Sequence, residues 1–318
     1  MHEFDLIRNY FSKLSKSKGA LDLNDDVFFE KSKNLVVSVD TYVQGVHFVN
    51  FKNPELVIKK IIRSSISDLI CKGVKPKYYF ISGSGNKKSF SSTNLKKISK
   101  SLNQEQYKYN IFLCGGDTVF SNKLSFTITS IGFSKKIIYR NRANLNDDIY
   151  VTGNLGDSFV GLEILRKKIK LKHSLEKYFI NKYFKPILYL EFSKKLLSFA
   201  NTSIDISDGL VADLNKLINK QKLSYKIYIN KIPVSKKLDE LLIKKKLKKE
   251  FCVSQGDDYQ VLFTASPSKF RIINKTAKSL GVKISKIGKI CSPLQKSEIY
   301  DQKGMKISLK NLGYYHNF

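Results

Sequence analysis

An α+β chain made of two mixed αβ domains is predicted by three observations. The 318 residues are more than a single hydrophobic core comfortably serves. Short apolar strands alternate with stretches of helical periodicity in both halves. After Tyr139-Arg140-Asn141-Arg142 the pattern starts afresh, so a boundary near residue 137 separates residues 1–136 from residues 137–318.

In the first unit, residues 35–39 read as a short buried strand that ends at Asp40. Asn53-Pro54 opens a helix, as N-cap and first-turn proline, that runs through Ile61, Ile62, Ile66 and Leu69 to a terminating Gly73. Asp68 falls in its last turns, where the helix dipole disfavours an anion, which predicts a local counter-cation. Residues 110–114 read as an apolar strand leading into Gly115-Gly116. Leu124, Phe126 and Ile128 alternate with Ser125, Thr127 and Thr129, the pattern of a half-buried strand.

In the second unit, Ile149 to Thr152 reads as a strand and Gly153 to Gly156 as its turn. A long helical region follows, then Asp205 to Gly209, then a helix with Leu210, Leu214, Leu217 and Ile218 on one face. Tyr259 to Phe263 is a further strand, preceded by Gly256-Asp257-Asp258. No repeat of short period is present.

Composition narrows the class. No apolar run approaches the ~18 residues of a membrane helix, and Met1-His2-Glu3-Phe4-Asp5 lacks the basic start of a signal peptide, so a cytoplasmic protein is expected. Cys71, Cys114, Cys252 and Cys291 are scattered without a C-x-x-C pair, which argues for buried reduced thiols and against a zinc site. The formal charge is +30, yet only six of the 57 basic residues are arginine. Lysine, with Asn, Ile, Phe and Tyr, follows A/T-rich codons, whereas nucleic-acid sites draw on arginine. Lys244 to Lys249 and Arg166-Lys167-Lys168 therefore read as solvated helix faces, with a basic binding patch as the competing reading.

Four aspartate segments carry the functional signal: Asp25-Asp26, Asp40, Gly115-Gly116-Asp117-Thr118 and Asp205-Ile206-Ser207-Asp208-Gly209. Singly, each reads as a turn. Together, in so cationic a chain, they read as hard oxygen ligands for Mg²⁺, which takes one or two carboxylates and fills its shell with water and substrate phosphate. Phosphate loops are absent. Gly156 and Gly161 have P-loop spacing but are followed by Leu162-Glu163, and Gly83-Ser84-Gly85 lacks the third glycine of a dinucleotide loop. A nucleotide enzyme of this composition would hold phosphate through carboxylate-bound metals.

Over almost its whole length the chain resembles the thiamine-monophosphate kinases of the aminoimidazole-ribonucleotide-synthetase superfamily. The resemblance is carried by Asn24-Asp25-Asp26, the run from Ser38 to Phe48, Ser67-Asp68-Leu69, Gly115 to Thr118, Tyr150 to Gly153, Asp205 to Leu210, Gly256 to Tyr259 and Gly313-Tyr314-Tyr315-His316. It implies two domains of that superfamily's type: an N-terminal ATP, Mg²⁺ and dimerisation domain, and a C-terminal domain completing the nucleotide and substrate site. It implies ATP-dependent phosphorylation of thiamine monophosphate to thiamine diphosphate, the last step of that cofactor's synthesis, by direct in-line transfer in a homodimer. Specific nucleic-acid and membrane partners are not expected.

By the same likeness Asp26, Asp40, Asp68, Asp117, Asp205 and Asp208 would bind several Mg²⁺ ions, with Ser38 and Val39 adjoining them, Val39 through its carbonyl. Gly116, Asp117, Arg140 and Ser207 would contact ATP, and His47, Asp257 and Tyr314 would face thiamine monophosphate. The phosphate nucleophile is already ionised near neutrality, so no general base is expected. His47 then reads as substrate-positioning or structural, and Tyr314 as an aromatic surface for the thiazolium or as packing. The chain departs from the family at Asn24, Val39, Arg142, Gln255 and Asp257. Asp257 is one methylene shorter than the usual glutamate, which leaves the metal side intact and the substrate side altered.

Overall fold

The computed structural model describes residues 3–245, 247–301, 303–309 and 312–315; His316 and Lys246, named above, lie outside them. The fold is α+β and contains two sheets. The first is built from β1 (Phe28–Glu30), β2 (Leu35–Val43), β3 (Pro76–Gly85), β4 (Phe112–Phe120) and β5 (Ser125–Phe133), with helices α1 (Glu3–Leu6), α2 (Pro54–Cys71) and α3 (Ser92–Tyr109). Its order is β1-β2-β5-β3-β4. All pairs are antiparallel except β3 and β4, whose parallel pairing is bridged by α3.

The second sheet holds β6 (Asp148–Thr152), β7 (Thr202–Asp205), β8 (Ser224–Tyr228), β9 (Val261–Ala265), β10 (Ile284–Cys291), β11 (Glu298–Tyr300) and β12 (Lys306–Ile307). Its order is β12-β11-β8-β10-β6-β9-β7. Around it lie α4 (Asp157–Leu165), α5 (His173–Phe184), α6 (Leu190–Leu196), α7 (Leu210–Leu217), α8 (Lys236–Lys245), α9 (Lys249–Val253) and α10 (Phe270–Leu280). No described helix is long and apolar enough to cross a membrane.

Local signals explain most boundaries. Asn53 caps α2 by accepting the Leu56 N–H, and Gly73 ends it with φ of 82°. Burial in β5 alternates as its sequence does. One apolar cluster unites Ile58 and Ile61 of α2 with Tyr150 of β6 and Phe263 of β9, so α2 is packed between the two sheets. Such a helix can bury polar residues only where partners wait for them. Lys60, Arg63, Ser64, Ser65 and Ser67 of α2 are all buried.

Several expectations are corrected. β2 continues past Val39 to Val43, because its alternation persists: Ser38 and Tyr42 point inward while Val39 is 62% exposed on the opposite face. Asp40 is thus mid-strand. Gly115 and Gly116 lie inside β4, not in a turn; a Cβ on Gly116 would sit 1.7 Å from the Ile81 carbonyl oxygen, so glycine serves close strand approach there. Tyr259, with φ of 50°, precedes β9. Cys114 is exposed on the edge strand, whereas Cys71 and Cys252 are buried. Lys249, read as solvated, is buried.

Candidate active site

The carboxylates converge from four elements. Asp26 follows the N-terminal 3₁₀ turn, Asp40 comes from β2, Asp68 from α2 and Asp205 from the end of β7. Oxygens of Asp26, Asp68 and Asp205 lie within 4.8 Å of one another. Ser38 Oγ donates to Asp68 Oδ2 and Ser67 Oγ to Asp205 Oδ2, which orients both groups. Burial pushes these carboxyls up, and neighbouring acids add to the rise at Asp68 and Asp205: Asp40 goes to about 6, Asp205 to about 7 and Asp68 well above the ordinary range. Asp40 Oδ2 is buried with no hydrogen-bond donor among the described residues.

An acceptor-only, oxygen-rich set with one enclosed orphan oxygen fits a hard divalent cation. Val39 turns its side chain away from this group, so only its backbone is available there. Asp117 stands apart, exposed in mid-β4, with its Oδ1 accepting the Thr118 N–H. Asp208 is also apart and pairs with Lys216.

Two cations, Lys72 buried and Arg140 half-buried, flank the acids. Lys72 Nζ lies 2.7 Å from Asp25 Oδ1 and 2.7 Å from Asp26 Oδ2 and donates to the Ser203 carbonyl. It is the counter-cation expected near Asp68, one turn further along the chain. Arg140 pairs with Asp26, and its backbone N–H donates to Asp25 Oδ2 at 2.9 Å. Behind them, Asp213 accepts the N–H groups of Asp208 and Gly209 and pairs with Lys216 at 3.0 Å, closing the first turn of α7.

The loops carrying Ser207 and Asp257 interlock. The Asp257 N–H donates to the Ser207 carbonyl, and Tyr259 N–H to that of Ile206. A Cβ on Gly209 or Gly256 would fall 2.0 Å from the Ser254 oxygen or 1.9 Å from the Ser207 oxygen, so both positions demand glycine. On the same side, His47 Nδ1 accepts the Val43 N–H at 3.0 Å, which assigns the proton of the neutral ring to Nε2. Tyr183 OH donates to the His47 carbonyl. Lys60 sits over the Tyr183 ring and pairs with Asp257. Tyr314 is fixed by its N–H, which donates to the Asp208 carbonyl at 2.9 Å.

The sequence thus indicated Asp26, Asp40, Asp68 and Asp205, which the fold assembles, and His47 and Asp257, linked through Lys60 and Tyr183. Lys60, Lys72, Asp213 and Lys216 were missed. The helical spacing of Lys60, Ser64, Asp68 and Lys72 is the one signal that connects two of them to a known residue.

Comparison with known proteins agrees with this geometry. Residues 23–134 match the family model described as AIR synthase related protein, N-terminal domain. The chain is 35% identical to the thiamine-monophosphate kinase of Buchnera aphidicola subsp. Acyrthosiphon pisum, over 99% of this chain and 98% of that one. It is 30% identical to the Haemophilus influenzae protein of the same name, over 98% of this chain and 97% of that one. A solved structure described as AaThiL complexed with AMPPCP and TMP superposes with a TM-score of 0.85 at 26% identity, covering 99% of this chain and 97% of that one.

Proposed function

The chain belongs to the thiamine-monophosphate kinase family and is a phosphotransferase, and from that premise we propose that it phosphorylates thiamine monophosphate with ATP, giving thiamine diphosphate and ADP by direct in-line transfer. The observation that carries this reading is the group of half-buried and buried carboxylates, with the unpartnered, buried Asp40 Oδ2 beside it.

Asp26, Asp40, Asp68 and Asp205 would hold Mg²⁺, with Ser38 and the Val39 backbone adjoining. Asp208 would join them on the nucleotide side, where Lys216 now neutralises it. Bound there, the ions would neutralise two polyanionic phosphates and align the attacking and leaving oxygens. The protein's own share is positioning. Ser207 and Arg140 lie where the acids meet the second domain, suited to nucleotide phosphate. His47, Asp257 and Tyr314 are assigned to thiamine monophosphate, with His47 Nε2–H as a donor.

Residues 1–136 and 137–318 are assigned as the two domains, a division supported by the gap between β5 and β6 that separates the two sheets. A homodimer is proposed through the open face of the first sheet. Tyr78, Phe80, Phe112, Val119 and Phe133 are all exposed there, an apolar patch that a second copy would cover. Gly116 and Asp117 lie on its edge strand, so their part in binding ATP and metal belongs to the assembled dimer.

Incubation of purified protein with ATP, Mg²⁺ and thiamine monophosphate, followed by chromatographic separation of products, tests the reading. Thiamine diphosphate should form in step with ADP and stop in excess EDTA. Turnover of unphosphorylated thiamine at the same rate would refute the assignment.

A further inference from the structure

Lys60 is 1% exposed, and its ammonium is enclosed by two aromatic rings and one carboxylate. Its Nζ lies 3.9 Å from the centroid of Tyr183 and 5.4 Å from that of Tyr259, and it ion-pairs with Asp257. Burial pushes the Lys60 ammonium down and Asp257 pulls it back up. An ammonium so enclosed is costly, and a buried ion pair adds little stability that an apolar side chain of equal volume would not. Its use must lie in what it does to Asp257.

Two further features single out that carboxylate. Lys60 Nζ and Tyr259 OH both donate to the same oxygen, Oδ1, the hydroxyl at 3.0 Å. No described residue donates to Oδ2, and the side chain remains 24% exposed. The backbone is also held in the left-handed region, with φ of 70° at Asp257 and 50° at Tyr259. Non-glycine residues leave the favoured regions at a cost of order 1–3 kcal/mol, and such positions cluster at ligand sites.

We propose that Lys60 is a positioning residue for substrate: it pins Asp257 through Oδ1 and so presents Oδ2 to accept a hydrogen bond from an amino group of the bound molecule. This rests on the reading above, which assigns Asp257 to thiamine monophosphate; the donor there is the exocyclic amine of its aminopyrimidine ring. Lys60 also acts on the other substrate residue, since the ring it covers belongs to Tyr183, whose hydroxyl donates to the His47 carbonyl at 3.0 Å. One buried cation therefore sets the geometry of both His47 and Asp257 without touching substrate.

The test is a double-mutant cycle with Lys60→Met and Asp257→Asn, read as kcat, KM for thiamine monophosphate and KM for ATP. Lys60→Met should raise KM for thiamine monophosphate about tenfold, the effect of a misplaced hydrogen bond to a charged group. KM for ATP should stay within about twofold, and the double variant should be no worse than Asp257→Asn alone. A substrate analogue with a carbonyl in place of the amine should bind wild type poorly, and both single variants should lose that discrimination. If Lys60→Met does not fold, Tyr259→Phe removes the second donor to Oδ1 and should weaken thiamine monophosphate binding in the same direction.

An unchanged KM for thiamine monophosphate in the folded Lys60→Met or Tyr259→Phe variant, or additive effects in the cycle, would overturn the positioning role while leaving the kinase assignment intact. A wild-type protein that does not turn over thiamine monophosphate would instead remove the functional reading and this inference with it.

Discussion

The ammonium of Lys72 stands 2.7 Å from Asp26 Oδ2, with no part of its side chain exposed. Its three donors are spent on Asp25, Asp26 and the Ser203 carbonyl, so it is a fixed charge at the rim of the carboxylate group. Replacing it by methionine takes from Asp25 its only paired side-chain cation among the described residues and leaves Asp26 with Arg140 alone. Lys72→Met should cost about 3–5 kcal/mol in EDTA, the usual effect of removing one member of a buried pair. Mg²⁺ should restore part of that loss, as read from urea midpoints with and without the ion.

The acids themselves give a pH signature. Carboxyls raised in the folded state hold protons that the unfolded chain has already released near pH 4. Their favourable contribution is therefore complete at low pH and is lost as pH rises through about 6 for Asp40 and about 7 for Asp205. In EDTA the melting temperature should fall across that window, and saturating Mg²⁺ should flatten the fall because the ion binds the deprotonated form. A melting temperature that climbed over the same interval without metal would contradict the assignment.

Asp205→Asn should separate stability from activity. It keeps an oxygen for the Ser67 hydroxyl but removes one buried charge from a repelling group. We expect higher stability than wild type in EDTA at pH 8 and a fall in kcat on the order of 100-fold or more, since phosphate charge would be left uncompensated. Retention of most of kcat at saturating Mg²⁺ would show that Asp205 is not a ligand.

How much of this was legible can be judged residue by residue. Asp40 and Asp68 stood out because apolar periodicity framed them, and the two helix-ending signals around α2 were both correct. Gly115-Gly116 misled because a glycine needed for close approach to Ile81 looks the same, in sequence, as one needed for a turn. Lys60 and Lys72 were invisible for a different reason. Among so many lysines no single one carries information, and only the fold separates a buried ammonium from a solvated one.

Thiol reactivity tests the proposed dimer. Burial pushes the Cys252 thiol up to about 12, so it should resist alkylation in the native state. Cys114 is exposed on β4 and should react quickly in a monomer and slowly when a second copy covers the sheet. Phe112→Lys should yield monomers by light scattering, speed the labelling of Cys114 and depress turnover. Fast labelling of Cys114 in a wild-type dimer would place the interface elsewhere.

The cationic surface is expected to be dispensable. Lys244→Gln with Lys248→Gln should leave kcat/KM nearly unchanged while weakening nonspecific DNA binding at low salt, since exposed charges are screened beyond ~8 Å at physiological ionic strength. Buried Lys249 is left intact in this design. Loss of kinase activity in the folded variant would restore the basic-patch reading.

Lys60, Ser64, Asp68 and Lys72 fall on one stripe of α2 and its cap, each four residues after the last. An α-helix rises 1.5 Å per residue, so the group that pairs with Asp257 and the carboxylate proposed to face the phosphates are held about 12 Å apart along one rod. The helix is a caliper. Its jaws open by a length fixed in backbone hydrogen bonds, so on the proposed assignment a molecule whose amine and phosphate are spaced differently would seat one end or the other, but not both.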